Sequence, residues 1–287
     1  MGSTLRLLFL AAIWGGSFLF FRIGAPVFGP GVLIELRLGI AAVFLWGVCR
    51  WWLRRRLDWR RHWRHFFVVG LFNSALPFVL LAFAAQTLSA SLLSVLNSSS
   101  PLFGALVAAA WLRQWPSWPA ACGLALGIAG VVVLAWGGLG AGDDTAWGAV
   151  AASLLASLSY GVATTYAGRP VAAVDPIDNA HGSLWCATLL VLPAAWLIPV
   201  PQIPGPLDWL AVVLFGVVCT GFAFLLYFRL IQDVGPMRAL SVTFLIPIFG
   251  VLWGVLLLDE QVGWNTLFGG VLVLLGTALT NGVLGRA

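Results

Sequence analysis

The chain has 287 residues, 61% hydrophobic and 9% charged, where soluble domains carry roughly 45–50% apolar and about 25% charged residues. That composition excludes a soluble globular enzyme. The net charge of +5 rests wholly on arginine, lysine being absent, and in so apolar a chain it reads as loop charge that sets membrane orientation, not as a nucleic-acid surface.

A membrane-crossing helix needs about 20 mostly apolar residues, and ten such segments follow one another at 4–24, 31–53, 66–86, 89–112, 118–137, 146–168, 177–199, 207–231, 237–258 and 263–284. The first has a signal-peptide-like start at Arg6, but its length argues that it is retained. Gly29-Pro30-Gly31, Pro116 to Pro119, Gly137 to Asp144, the proline-rich 199–206 stretch and Gly235-Pro236 are the turn signals between segments. Stretches such as Gly123 to Trp136 lack the alternation of a membrane β-barrel. The expected fold is therefore an all-α polytopic membrane protein.

Charge sets the orientation. Arg50, Arg54, Arg55, Arg56, Arg60, Arg61 and Arg64 form one loop run, and with it inside, Arg6, Arg113, Arg169, Arg229, Arg238 and Arg286 also fall inside. Only Arg22 and Arg37 lie nearer the outside, while Asp143, Asp144, Asp208, Asp259 and Glu260 fall outside. An even number of crossings then puts both termini in the cytoplasm. Arginine, alanine, glycine and proline usage suggests a GC-rich bacterial genome, hence a bacterial inner membrane. Cys49, Cys122, Cys186 and Cys219 are scattered within apolar segments, so no disulfide, metal site or cofactor is expected.

Shifting the chain against itself by 146 residues aligns Trp63–Gly130 with Trp209–Gly276 without a gap, including the Pro-x-Phe-Gly pair at Pro101–Gly104 and Pro247–Gly250. The chain thus divides into residues 1–140 and 141–287, each holding five segments. Five is odd, so the halves enter the membrane in opposite senses: two inverted five-helix repeats, ten transmembrane helices in all. This arrangement suits alternating access to a midplane site.

Polar residues at mid-segment face other helices or a wet cavity. In the fourth segment Ser91, Ser94, Ser98 and Pro101 share one helical stripe, with Asn97 beside it. Serines that bond back to their own carbonyls are the competing explanation for any one of them. Trp14 with Ser17, Asn73 with Pro77, Ser157 with Tyr160 and Thr164, His181 with Trp185, and Thr220 with Phe224 and Tyr227 make comparable stripes, and the 146-residue shift gives the serine stripe large apolar counterparts on the ninth segment, Met237, Leu240, Phe244 and Pro247. Pro101 and Pro247, at matching places in the halves, are candidate hinges. His181 reads as a hydrogen-bonded structural histidine in preference to a proton carrier.

Fixed charge is nearly missing from the membrane centre; the exceptions are Glu35 and Arg37, which do not face one another on a helix, so each needs a partner elsewhere or a wet vestibule near the outer face. A cation pump wants a central carboxylate, and a carrier of phosphates wants central basic groups. A small neutral or zwitterionic solute such as an amino acid is the expected substrate, moved without proton coupling, with the lipid bilayer as the other partner and the oligomeric state, a monomer included, left open. A multidrug or general metabolite exporter is the alternative. An intramembrane enzyme is disfavoured, since no Gly-x-Ser-x-Gly, His-Glu-x-x-His or paired intramembrane aspartates occur; Gly138, Gly140 and Gly142 have no phosphate site after them.

Trp14-Gly15-Gly16-Ser17, Arg37, Pro101, Gly235-Pro236-x-Arg238, Pro247 and Asp259-Glu260, in this order and spacing, resemble the drug/metabolite transporter superfamily, in its EamA-type ten-helix branch. The resemblance covers nearly the whole chain. It implies a membrane transporter with rocking halves, and within the branch the chain is similar to YddG-type exporters of aromatic and other amino acids. Arg113-Gln114 replaces the glutamate that the pattern places at Glu260.

Overall fold

The computed structural model describes residues 2–138, 144–168 and 174–282; Gly140, Gly142, Asp143, Arg169 and Arg286 lie outside them. Every regular element among the described residues is helical. The first, α1 (Ser3–Gly47), would be about 68 Å long if straight, more than twice the hydrocarbon thickness of a bilayer. It is broken at Gly29, where φ is +73°, a conformation open to glycine and closed to most side chains. The chain doubles back there: the Leu33 side chain reaches Gly24 and the Arg37 guanidinium lies 5.0 Å from the Phe21 ring centroid. The predicted Gly29-Pro30-Gly31 turn is therefore a reversal made without a loop.

A π-helical turn, Val48–Trp52, closes this element. Next come α2 (Trp59–Gly70), a second π turn at Leu71–Ala75, and α3 (Leu76–Ala84). The fourth predicted segment is two helices, α4 (Ala90–Asn97) and α5 (Ser100–Leu112). Then follow α6 (Trp118–Gly138), α7 (Asp144–Ala167), α8 (Pro176–Leu197), α9 (Pro206–Gly216), a third π turn at Val217–Phe222, and α10 (Ala223–Val234). The chain ends with α11 (Pro236–Ala239), α12 (Val242–Leu258) and α13 (Trp264–Thr280). Among the described residues, seven continuous helical stretches, the first running Ser3–Trp52, are long and apolar enough to cross a membrane, and α12 and α13 are shorter apolar helices.

Side chains finish the helix ends that lipid would leave unsatisfied. Asp58 accepts from Arg61 N at 3.2 Å, Ser89 from Leu92 N at 3.2 Å and Asp175 from Ile177 N at 3.0 Å. Arg22, an arginine inside an apolar segment, donates to the Ala85 and Gln86 carbonyls at 2.9 and 3.0 Å, where α3 ends. Cations favour that end of a helix.

Glycines let the helices touch backbone to backbone. A Cβ at Gly15 would fall 2.8 Å from Gly250 N, and one at Gly161 would fall 2.8 Å from Gly104 N. Gly70 presses on the Ser183 carbonyl and Gly216 on the Arg37 carbonyl. Between α6 and α13, Gly123 meets Gly276 while Gly130 meets Gly269, so these two helices run antiparallel.

Candidate substrate-binding site

The most unusual side chain is Arg37, a cation only 4% exposed within an apolar segment. Its guanidinium carbon lies 3.8 Å from the Phe78 centroid and 4.0 Å from that of Phe215, with Phe21 on a further side. Desolvated cation–π contacts are worth about 2 kcal/mol or more, which offsets part of the cost of removing the charge from water. Nε donates to Thr220 Oγ1 at 2.9 Å. Thr220 can accept because the π turn lets its own hydroxyl donate five residues back, to Phe215 O at 3.2 Å. No ion pair among the described residues involves Arg37, and its Nη1 is buried without a partner. Arg37 thus finds a partner on another helical stretch, at Thr220 near the middle of residues 206–234.

Other buried polar atoms also lack partners: Asn97 Oδ1, Ser153 Oγ and Ser157 Oγ. Such atoms are few in native structures and mark places that water or ligand completes. Tyr160 is half-buried against the hydrophobic core, and Ser17 is buried on α1. Trp14 packs on Tyr227 with ring centroids 5.2 Å apart, and Phe224 stacks on Phe228 at 6.0 Å.

The predicted serine stripe has other duties. Ser91 Oγ donates to Glu260 Oε2 at 2.6 Å, and the Ala90 and Ser91 N–H groups donate to the two carboxylate oxygens at 2.6 and 2.9 Å. Glu260 thereby caps α4 from the end of α12. Ser94 bonds the Ser91 carbonyl at 2.8 Å and packs against Gly250. Ser98, Ser99 and Ser100 donate to the carbonyls of Val95, Leu96 and Asn97, each at 2.6 Å. These hydroxyls satisfy carbonyls at the end of α4 inside the apolar layer, where Pro101, in the first turn of α5, brings no N–H to the Asn97 carbonyl. Pro247 is the interior proline, buried within α12.

The remaining predicted residues scatter. Asn73 is half-buried in the π turn at Leu71–Ala75 and Pro77 is buried at the start of α3. Thr164 is exposed and bonds back to the Tyr160 and Gly161 carbonyls. Phe244 is half-buried on the first turn of α12. His181 accepts from Trp185 Nε1 at 3.0 Å, as expected of a structural histidine, and both line a separate pocket beside Arg50 and Arg55. Sequence reasoning missed Phe21, Phe78 and Phe215 as the box around Arg37; the arginine itself was the signal, since a charge in an apolar segment must be housed.

These features define an integral multi-pass membrane protein with polar groups gathered inside its helices. The EamA-like transporter family matches residues 3–136 and again 146–282, and the chain belongs to that family: it is a membrane transporter. The uncharacterized transporter YoaV of Bacillus subtilis (strain 168) is 23% identical over 274 residues, covering 95% of this chain and 94% of its own. An uncharacterized transporter of Archaeoglobus fulgidus is 23% identical over 282 residues, with 96% and 97% covered. The uncharacterized inner membrane transporter YedA of Escherichia coli (strain K12) is 27% identical over 288 residues, with 94% and 90% covered. One solved crystal structure overlays 100% of this chain and 99% of its own with a TM-score of 0.65 at 22% identity, a likeness of fold alone.

Proposed function

We propose that the chain exports small neutral or zwitterionic metabolites, foremost amino acids including aromatic ones, by alternating access between two inverted five-helix repeats, residues 1–140 and 141–287. Ten crossings follow if the reversal at Gly29 divides the first stretch and α12 and α13 each cross. The glycine contacts support the inversion: Gly15 on Gly250 and Gly161 on Gly104 become one another on a shift of 146 residues, as do Gly123 on Gly276 and Gly269 on Gly130. Reciprocal contacts of this kind are what a two-fold axis produces, and antiparallel equivalent helices put that axis in the membrane plane. The positive-inside rule then sets both termini in the bacterial cytoplasm.

The observation that carries the substrate class is Arg37, a buried guanidinium with one unpartnered nitrogen and no protein carboxylate paired to it. A zwitterion brings its own carboxylate to such a group, offers its ammonium to acceptors such as Asn97 Oδ1, and rests an apolar side chain on the Trp14–Tyr227 pair. A cationic drug meets repulsion there. No ion needs to be coupled for movement down the substrate gradient.

The test is counterflow of labelled threonine, methionine and tryptophan in proteoliposomes. Wild type should exchange them, Arg37→Gln should lose exchange by about ten-fold or more, and a cationic dye should not move. Brisk dye transport without amino-acid exchange overturns the reading, and uphill accumulation driven by a pH step overturns the uncoupled mechanism.

A further inference from the structure

A pocket of ≈ 200 Å³ opens between the end of α1, the 53–58 link and the start of α8, with Arg50, Arg55 and Arg56 among its lining residues. Arg55 is committed to Asp175 at 2.6 Å, whereas no ion pair among the described residues takes up Arg50 or Arg56. His181 lines the same pocket and is 4% exposed. Because Trp185 donates to its Nε2, the imidazole proton belongs on Nδ1, and Nδ1 is buried without a partner. One buried donor and two uncommitted guanidiniums form a recognition set for a phosphate.

The surroundings say where that phosphate comes from. Trp46, Trp51, Trp52 and Trp63 are 44%, 71%, 84% and 52% exposed around the same stretch of chain, and exposed tryptophans collect at the headgroup level of a bilayer. Basic pockets between helices at that level take anionic headgroups. We propose that this pocket binds the phosphodiester headgroup of an anionic phospholipid, holding the ends of α1 and α8 against the membrane surface.

Native mass spectrometry of the full chain in detergent, with phosphatidylglycerol and phosphatidylcholine added in equal amounts, tests this. Phosphatidylglycerol should be retained preferentially, and the double variant Arg50→Gln/Arg56→Gln should weaken retention by about ten-fold or more. Both arginines are exposed, so the fold is spared, which elution as a single species checks. Arg60→Gln/Arg61→Gln, in the same basic run but outside the pocket lining, should leave retention unchanged. An equal loss from that second pair assigns binding to diffuse charge and overturns the proposal, as does absence of preference between the lipids. Displacement by millimolar inorganic phosphate overturns it in favour of a soluble anion.

Discussion

Glu260 accepts three hydrogen bonds from the first turn of α4 while standing at the end of α12, so one carboxylate both caps a helix and joins two. Removing it strands two N–H groups in a poorly hydrated place, and hydrogen bonds to charged groups are worth about 1.5–3 kcal/mol. Glu260→Ala should therefore lower the Tm in detergent markedly, and Glu260→Gln, which keeps one good acceptor, should lower it less; equal Tm values for all three proteins would refute the assignment. At this scale the sequence marked the right residues for partly wrong reasons. The stripe Ser91, Ser94, Ser98 was legible from its spacing, but whether a hydroxyl faces a cavity or its own backbone depends on where the helix ends, and the stop at Asn97 was marked only by Pro101, four residues on, whose missing N–H leaves that carbonyl to Ser100. The partner of Ser91 is 169 residues away, beyond any pattern read along the chain.

Helices here are held by shape as much as by bonds. Between α6 and α13 a Cβ at Gly276 would sit 2.5 Å from Gly127 N, whereas one at Gly148 meets nothing within 4 Å. Gly276→Ala must separate two backbones and should cost about 1–3 kcal/mol, while Gly148→Ala should be neutral or stabilise by up to about 1 kcal/mol through helix propensity; paired Tm measurements decide it. The start of α8 offers a pH test. Burial pushes the Asp175 carboxyl up, but the Arg55 guanidinium and the Ile177 N–H outweigh it and hold the group below its ordinary value. A carboxyl depressed in the folded state stabilises at pH above its unfolded value, and that stability fades as pH falls through the folded one. Asp175→Asn should thus flatten the fall in Tm below about pH 4, by less than about 1 kcal/mol because both partners are some 40% exposed. The long apolar elements were legible because lipid demands continuous runs. The π turns at Leu71–Ala75 and Val217–Phe222 were not: no residue type marks an i→i+5 bond, yet they give Thr220 the geometry that Arg37 uses, as π turns at functional sites often do.

Across the whole molecule the two ends are unequal. At the Glu260 end, α4 lies against α12 and the carboxylate fastens them. Under the 146-residue shift the corresponding elements at the other end are α11 and α5, which form no comparable contact among the described residues, and Gln114, standing where the shift puts Glu260, is exposed. The repeat was readable from the sequence, and so was the Glu-to-Gln departure. Its consequence was not, because a fastening is a property of two elements and not of one residue. A carrier with alternating access must undo the Glu260 fastening to open that end, while the other end carries ion pairs of its own, Arg6 with Asp233 and Arg55 with Asp175. With Cys49, Cys122, Cys186 and Cys219 replaced by serine, Ser94→Cys, a position fully buried beside Gly250, should resist a membrane-impermeant maleimide added from the Glu260 side. Adding Glu260→Ala should raise its labelling severalfold, because the interaction that holds α4 on α12, worth about 1.5–3 kcal/mol per charged hydrogen bond, shifts a two-state equilibrium by its full difference between states. Ser241→Cys, exposed at the other end, should react from the opposite side in both backgrounds. Unchanged labelling of Ser94→Cys after loss of Glu260 would mean that the carboxylate only finishes a helix, and that closure at this end is set by the packing of Gly15 and Ser94 on Gly250.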